Sequence, residues 1–264
     1  MTALTANDGS GSPGNGTPGR IFGSLLAAAT AVSMLASSHG TAPADQKHDT
    51  VSYSVRGPVR TLVVTAHVGV VQVVGGAPGP VSVIQRLTFD GAEPTTSHRL
   101  AAGTLSLTSH CAQGEVCSVS FDITVPARTT VRVSDDVGTV RLSALTGQVS
   151  VTVTAGQIKL SSISGPVDAT ARAGSITGRQ VSSPRATLRA SAGEIDVTFS
   201  APPTAITAIT DIGAIILRVP DNVPYDVSAS ATAVGHVAVT VTQNTAASRK
   251  ITASTDVGSI TIEP

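Results

Sequence analysis

Glycines fall at positions 138, 147, 156, 165 and 174, one every nine residues. Written in blocks, the stretch reads GTVRLSALT, GQVSVTVTA, GQIKLSSIS, GPVDATARA, GSITGRQVS. Alternate blocks resemble each other more than neighbours do, so the unit is about 18 residues made of two unlike halves. A shared step, a small or branched apolar residue followed by glycine, marks each unit. It recurs at Val137-Gly138, Ala155-Gly156, Ala173-Gly174, Ala192-Gly193, Ile212-Gly213, Val234-Gly235 and Val257-Gly258. Ala173-Gly174 departs slightly, with Gly178 where the others carry an apolar residue. Spacings from Gly138 onward are 18, 18, 19, 20, 22 and 23, and a distant copy stands at Val68-Gly69.

Alternation surrounds every one of these glycines. Val149, Val151, Val153 and Ala155 precede Gly156; Ile251, Ala253, Thr255 and Val257 precede Gly258. The residues between are mostly Thr, Ser, Arg, Lys and Asp. A period of two with one apolar set predicts strands buried on one face. Each unit therefore reads as a strand, a glycine bend and a second strand. Stacked units place like residues above like residues, and small ones (Ala66, Ala171, Ala190, Thr210, Thr255) recur three places before the glycine. Such a narrow core needs no large rings, which accounts for 2% aromatic residues and no Trp. The expected fold is all-β: a single-chain β-solenoid of 18–23-residue repeats over 127–264, with an irregular β cap and linker over 45–126. Candidate cap strands lie at 60–66, 70–74, 80–89, 104–108 and 116–125. An antiparallel β-sandwich is the alternative, since short strands with frequent turns also allow it.

Charged residues make up 13%, with 17 basic against 17 acidic. Nucleic-acid binding wants a basic footprint and stacking rings, so that class is excluded. The chain's start reads as an export signal. A polar, Gly/Ser/Pro-rich stretch leads to Arg20 and an apolar run, Ile21 to Ala36. Sixteen residues span about 24 Å as a helix, short of the roughly 30 Å hydrocarbon core. That suits a signal peptide, with Ala42-Pro43-Ala44 as a cleavage site; an uncleaved membrane anchor is the alternative. Either way residues 45–264 are expected outside the cytoplasm, in the envelope or medium. The two cysteines, Cys111 and Cys117, fit a local disulfide at a hairpin tip in such a compartment. A metal site would need two more ligands, and beyond the adjacent His110 no Cys/His cluster follows.

Candidate chemistry is sparse. Calcium-binding nonapeptide rolls need a fixed Asp, yet Ser143, Thr152, Ser161 and Thr170 hold that place. Asp136, Asp211 and Asp256 each stand two before a glycine and are expected to face outward, separated by non-acidic units. The parity of Asp135 points its side chain inward, where a lone carboxylate is costly. His67 and His236 fall on outward positions. No nucleophile elbow, H-E-x-x-H or phosphate loop is present. No catalytic, cofactor or metal residues are therefore assigned. The structural assignments are Cys111 and Cys117 and the repeat glycines Gly69, Gly138, Gly156, Gly174, Gly193, Gly213, Gly235 and Gly258.

The stretch VSFDITVPARTTVRVSDDVGTVRLSALTGQVSV, with its strand ending Ile123, Val125, Pro126 and then V-G-x-V-x-L, resembles the bacterial putative-adhesin family of β-strand-repeat domains, a domain of unknown function. The resemblance covers about residues 55–264. It implies an all-β, solenoid-like surface domain and brings no catalytic residues. The expected function is a non-enzymatic exported repeat protein, adhesin-like or a scaffold, monomeric, with an envelope or surface partner and no cofactor. The membrane enters only through the N-terminal segment if it is retained. The alternative is a carbohydrate-active β-helix enzyme, which would need Asp135, Asp136 and an Arg to converge in a groove.

Overall fold

The computed structural model describes residues 46–264 except 113 and 115. The expected export segment lies outside the described residues. Fifteen strands account for the structure: β1 (Lys47–Val55), β2 (Thr61–Gly76), β3 (Val81–Asp90), β4 (Thr95–Ala101), β5 (Thr104–His110), β6 (Val116–Pro126), β7 (Thr130–Ser143), β8 (Val149–Ser161), β9 (Val167–Val181), β10 (Arg185–Ala192), β11 (Ile195–Phe199), β12 (Ala205–Ile212), β13 (Ile215–Arg218), β14 (Asp226–Val239) and β15 (Lys250–Glu263). The fold is all-β, as the alternation predicts.

From β7 to β12 each repeat pairs with the next in parallel and in register. Val149 sits beside Val131 and Val167, and Ile158 beside Val140 and Ile176. The repeats thus exclude antiparallel sandwich pairing. Every long strand bends at its glycine, so its first half joins one layer and its second half a facing layer. Around β9 and β15 the hydrogen-bonded path closes into a ring of six parallel strands, β9–β10–β12–β15–β13–β11. It closes because β9 and β15 are bent and belong to both layers, whereas β10/β11 and β12/β13 are single repeats interrupted at the bend.

The two layers enclose the core. In β8 and its following turn, Val149, Val151, Val153, Ile158 and Ile163 are all at most 1% exposed. Burying each such side chain stabilises by roughly 1.5–3 kcal/mol before ordering costs. The predicted small column is real: Ala66, Ala171, Ala190, Thr210 and Thr255 are all buried. Thr210 and Thr255 donate their hydroxyls to the carbonyls of Gly193 and Gly213, so two polar groups enter the core satisfied.

The bend glycines make a second ladder. A Cβ on Gly156 would overlap the carbonyl oxygen of Gly138, and one on Gly174 that of Gly156. The same relation runs on through Gly193, Gly213, Gly258 and Gly235. Gly156 and Gly174 also hold φ of 142° and 138°, a region that L side chains rarely adopt. Close rung-to-rung approach and unusual backbone angle together require glycine at the bend.

Stack order departs from chain order at both ends. β15 lies between β12/β13 and β14, so the penultimate repeat is the outermost rung. The spacings of 22 and 23 supply the extra residues that carry the chain past one position and back. At the other end β5 pairs with the first half of β2, and β6 with its second half. Together they form a rung ahead of β2. Antiparallel strands extend it: β4 on β5, and β3 then β1 on β6. Sequence reading missed β1 and β4. Val51, Tyr53 and Val55 in β1 do alternate, but β4 (TTSHRLA) is exposed almost throughout and carries no apolar period.

Candidate functional site

Chemistry-bearing side chains gather where the first rung meets β2. There the usual glycine bend is replaced by a disulfide-closed arch. Cys111 and Cys117 are joined, with Cα atoms 5.8 Å apart. The arch is no hairpin tip, because β5 and β6 pair with β2 in opposite layers and not with each other. It spans the two layers as Gly69 and Gly138 do in the next rungs. Standing off from the β2 bend, it leaves a cavity of about 410 Å³ lined by His67, Val68, His110, Ala112, Gly114 and the two cysteines.

His67 and Asp136 are neighbours in the outward column just before the bend glycines. His67 Nδ1 lies 2.7 Å from Asp136 Oδ2, with both side chains about half exposed. The His67 and His110 rings are 5.9 Å apart and tilted by 41°. Alternation shows that His67 and Asp136 face outward; that His110 comes beside His67 depends on β5 pairing with β2, which no local pattern reveals.

Asp135 turns the other way. It occupies the small inward column between Ala66 and Val153 and is 1% exposed. Neither carboxylate oxygen has a hydrogen-bond partner. Burial first, and then the charge of Asp136, raise its pKa to about 6 against the opposing pull of His67. Asp135 and Asp136 therefore point to opposite sides of one sheet. Neither forms an ion pair with arginine among the described residues, so the constellation that the carbohydrate-enzyme reading needs is not assembled. Among the described residues no group of three or more His, Cys, Asp or Glu is placed to hold a metal ion.

Asp211 and Asp256 are exposed near their bends, and Asp256 accepts a hydrogen bond from Thr232 at 2.7 Å. His236 is exposed on β14. These positions lie on separate rungs, and the structure does not bring them to Asp136. What does run unbroken along the stack is the apolar residue before each bend. Val68, Val137, Ala155, Ala173, Ala192, Ile212, Val257 and Val234 are in register from rung to rung. Ile212 is 59% and Val234 70% exposed, so the column forms an outward ridge. Seven steps of about 4.8 Å make it roughly 34 Å long.

No family model matches the chain, and no curated protein matches it. Solved structures are similar to the chain, two of them as follows. One is described as a putative cell adhesion protein from Clostridium sporogenes, 10% identical, covering 82% of this chain and 99% of its own, with a TM-score of 0.37. The other is described as a putative adhesin from Bacteroides fragilis, 16% identical, covering 82% of this chain and 97% of its own, with a TM-score of 0.53. The resemblance first carried by the VSFDITVPARTTVRVSDDVG stretch thus extends over most of the chain, and this protein shares the fold of a solved putative adhesin.

Proposed function

We propose that the chain is an exported, non-enzymatic β-solenoid that acts as an adhesin-like or scaffolding surface at the cell envelope. One observation carries the reading: the repeat turns a single apolar position into a continuous outward ridge, bordered by a mixed polar column that includes His67, Asp136, Arg172, Asp211 and Asp256. A ridge about 34 Å long suits recognition of an extended surface better than of a small molecule. The parallel register from β2 to β14 supports the solenoid description, since every rung contributes one copy of each column. The fold shared with the Bacteroides protein supports the adhesin-like assignment, and the apolar run at 21–36 supports export.

The test has two arms. Intact cells producing the chain are treated with an impermeant labelling reagent, and labelling of the chain is expected. Attachment of those cells to a host or abiotic surface is then compared with cells carrying Val137→Asp and Ile212→Asp together. Attachment should fall in the double variant and survive single Asp136→Asn, Asp211→Asn or Asp256→Asn changes. An unlabelled chain, or attachment indifferent to the ridge, would overturn the proposal.

A further inference from the structure

The outermost rung is finished differently from every rung inside the stack. β14 pairs with β15 along one edge, and its other edge carries unpaired backbone N–H and C=O groups in both layers. Its inward residues Val227, Ala229, Ala231, Val237 and Val239 are only partly buried. Their counterparts in β15, Ile251, Ala253, Thr255, Ile260 and Ile262, are at most 1% exposed. Buried Tyr225 and Val241 close the core on the side of the turns, and Tyr225 donates its hydroxyl to the Pro220 carbonyl. The bend side of the same end has no such plug among the described residues. Solenoid ends and long edge strands are ordinarily blunted by charge, proline or a covering element. β14 holds one acid, Asp226, already facing Lys250 at 3.7 Å, and one histidine; it holds no proline, and its pairing with β15 slips in register only at the bend, between Ala231 and Val234.

We propose that β14 docks against β14 of a second copy, giving an end-to-end dimer with twofold symmetry. The bent shape selects this occupant. An extended peptide could pair with one half of β14 and would leave the other layer open. A second bent strand, related by a twofold axis through the bend, lays its second half against the first half of β14, and the reverse, so both layers continue at once. Matching inward residues to inward residues fixes the register: Ala231 faces Val237 of the second copy, Ala229 faces its Val239, and Val234 lies on the axis against its own copy. Val234 is the most exposed large apolar residue of the described chain. A neutral edge also meets itself without like-charge repulsion, which an isologous interface requires. Fourteen residues at about 3.3 Å, over a layer about 10 Å thick, present roughly 460 Å² per copy. The total of about 900 Å² sits at the low end of specific interfaces, so the dimer is reversible. This replaces the monomer expected from sequence, and it rests on the fold rather than on the adhesin-like reading.

Sedimentation equilibrium on the full chain, from about 1 to 200 µM, tests the proposal. A monomer–dimer equilibrium is expected. Val234→Lys should weaken it by about tenfold or more, because two ammonium groups would meet on the axis, while its thermal melt stays that of the parent. Val116→Lys, at an equally exposed site on β6, should leave the dimer unchanged. Val234→Cys under mild oxidation should give a covalent dimer. A parent that stays monomeric at 200 µM, or a dimer unaffected by Val234→Lys, overturns the proposal. Neither result bears on whether the chain is exported or adhesive.

Discussion

Replacing Asp135 with valine should stabilise this protein at neutral pH. The carboxyl sits in a column of Ala and Val, 1% exposed, with no hydrogen-bond partner on either oxygen. Its pKa rises from 3.8 to about 6 on folding. A raised pKa means that the folded state holds the proton more tightly than the unfolded chain. Below pH 4 both states are protonated and the site carries no ionisation penalty. Between pH 4 and 6 the unfolded chain ionises first, and stability falls. Above pH 6 both are ionised and the loss is constant. That rise corresponds to roughly 3 kcal/mol, at about 1.36 kcal/mol for each tenfold change in the ionisation constant. Valine removes that penalty and matches Val153 on the next rung. Urea unfolding of the full chain at pH 3.5, 5 and 7 measures it. The variant should gain about 3 kcal/mol at pH 7, much less at pH 3.5, and should lose the parent's decline between pH 4 and 6. Equal stabilities at pH 7, or a parent whose stability is flat across that window, would refute the reasoning.

Gly174→Ala should cost at least about 3 kcal/mol by thermal melt, since its Cβ would strike the Gly156 backbone at a strained φ. Gly79→Ala, with open space around it, should change stability by less than about 0.5 kcal/mol. Cys111→Ser should lower stability by roughly 2 kcal/mol, the loop-entropy value for so short a ring, and reductant should then have no further effect on it. Ala144 holds a φ of 55° after the second strand half; Ala144→Gly should raise stability by about 1 kcal/mol in a denaturant titration.

The sequence made the strands and their faces readable because period-two alternation and repeat spacing are both local signals. His67, Asp136, Asp211 and Asp256 face outward and Asp135 faces inward, as parity requires. Rung order was not readable. β15 and β14 have nearly the same inward pattern, so either could follow β12/β13, and the longer spacings show only that a detour is possible. The cavity at the arch was hidden for a related reason. His110 and His67 stand 43 residues apart in sequence, and they meet only because β5 takes the place ahead of β2. The hairpin expected at Cys111–Cys117 failed on the same point: sequence shows a tight loop, not which layers its two ends enter.

Spin-label distances along one outward column test the stacking most directly. Ser134, Ile209, Ser254 and Ser230 lie in that column, and the parent's two cysteines are already joined, so introduced cysteines label cleanly. From Ser134, Ile209 is four rungs away, Ser254 five and Ser230 six, or about 19, 24 and 29 Å at roughly 4.8 Å per rung. Double electron–electron resonance on pairs diluted with unlabelled chain should return distances rising in that order. Ser230 nearer than Ser254, or distances that do not grow by rung, would contradict the parallel stack and its inserted final strand.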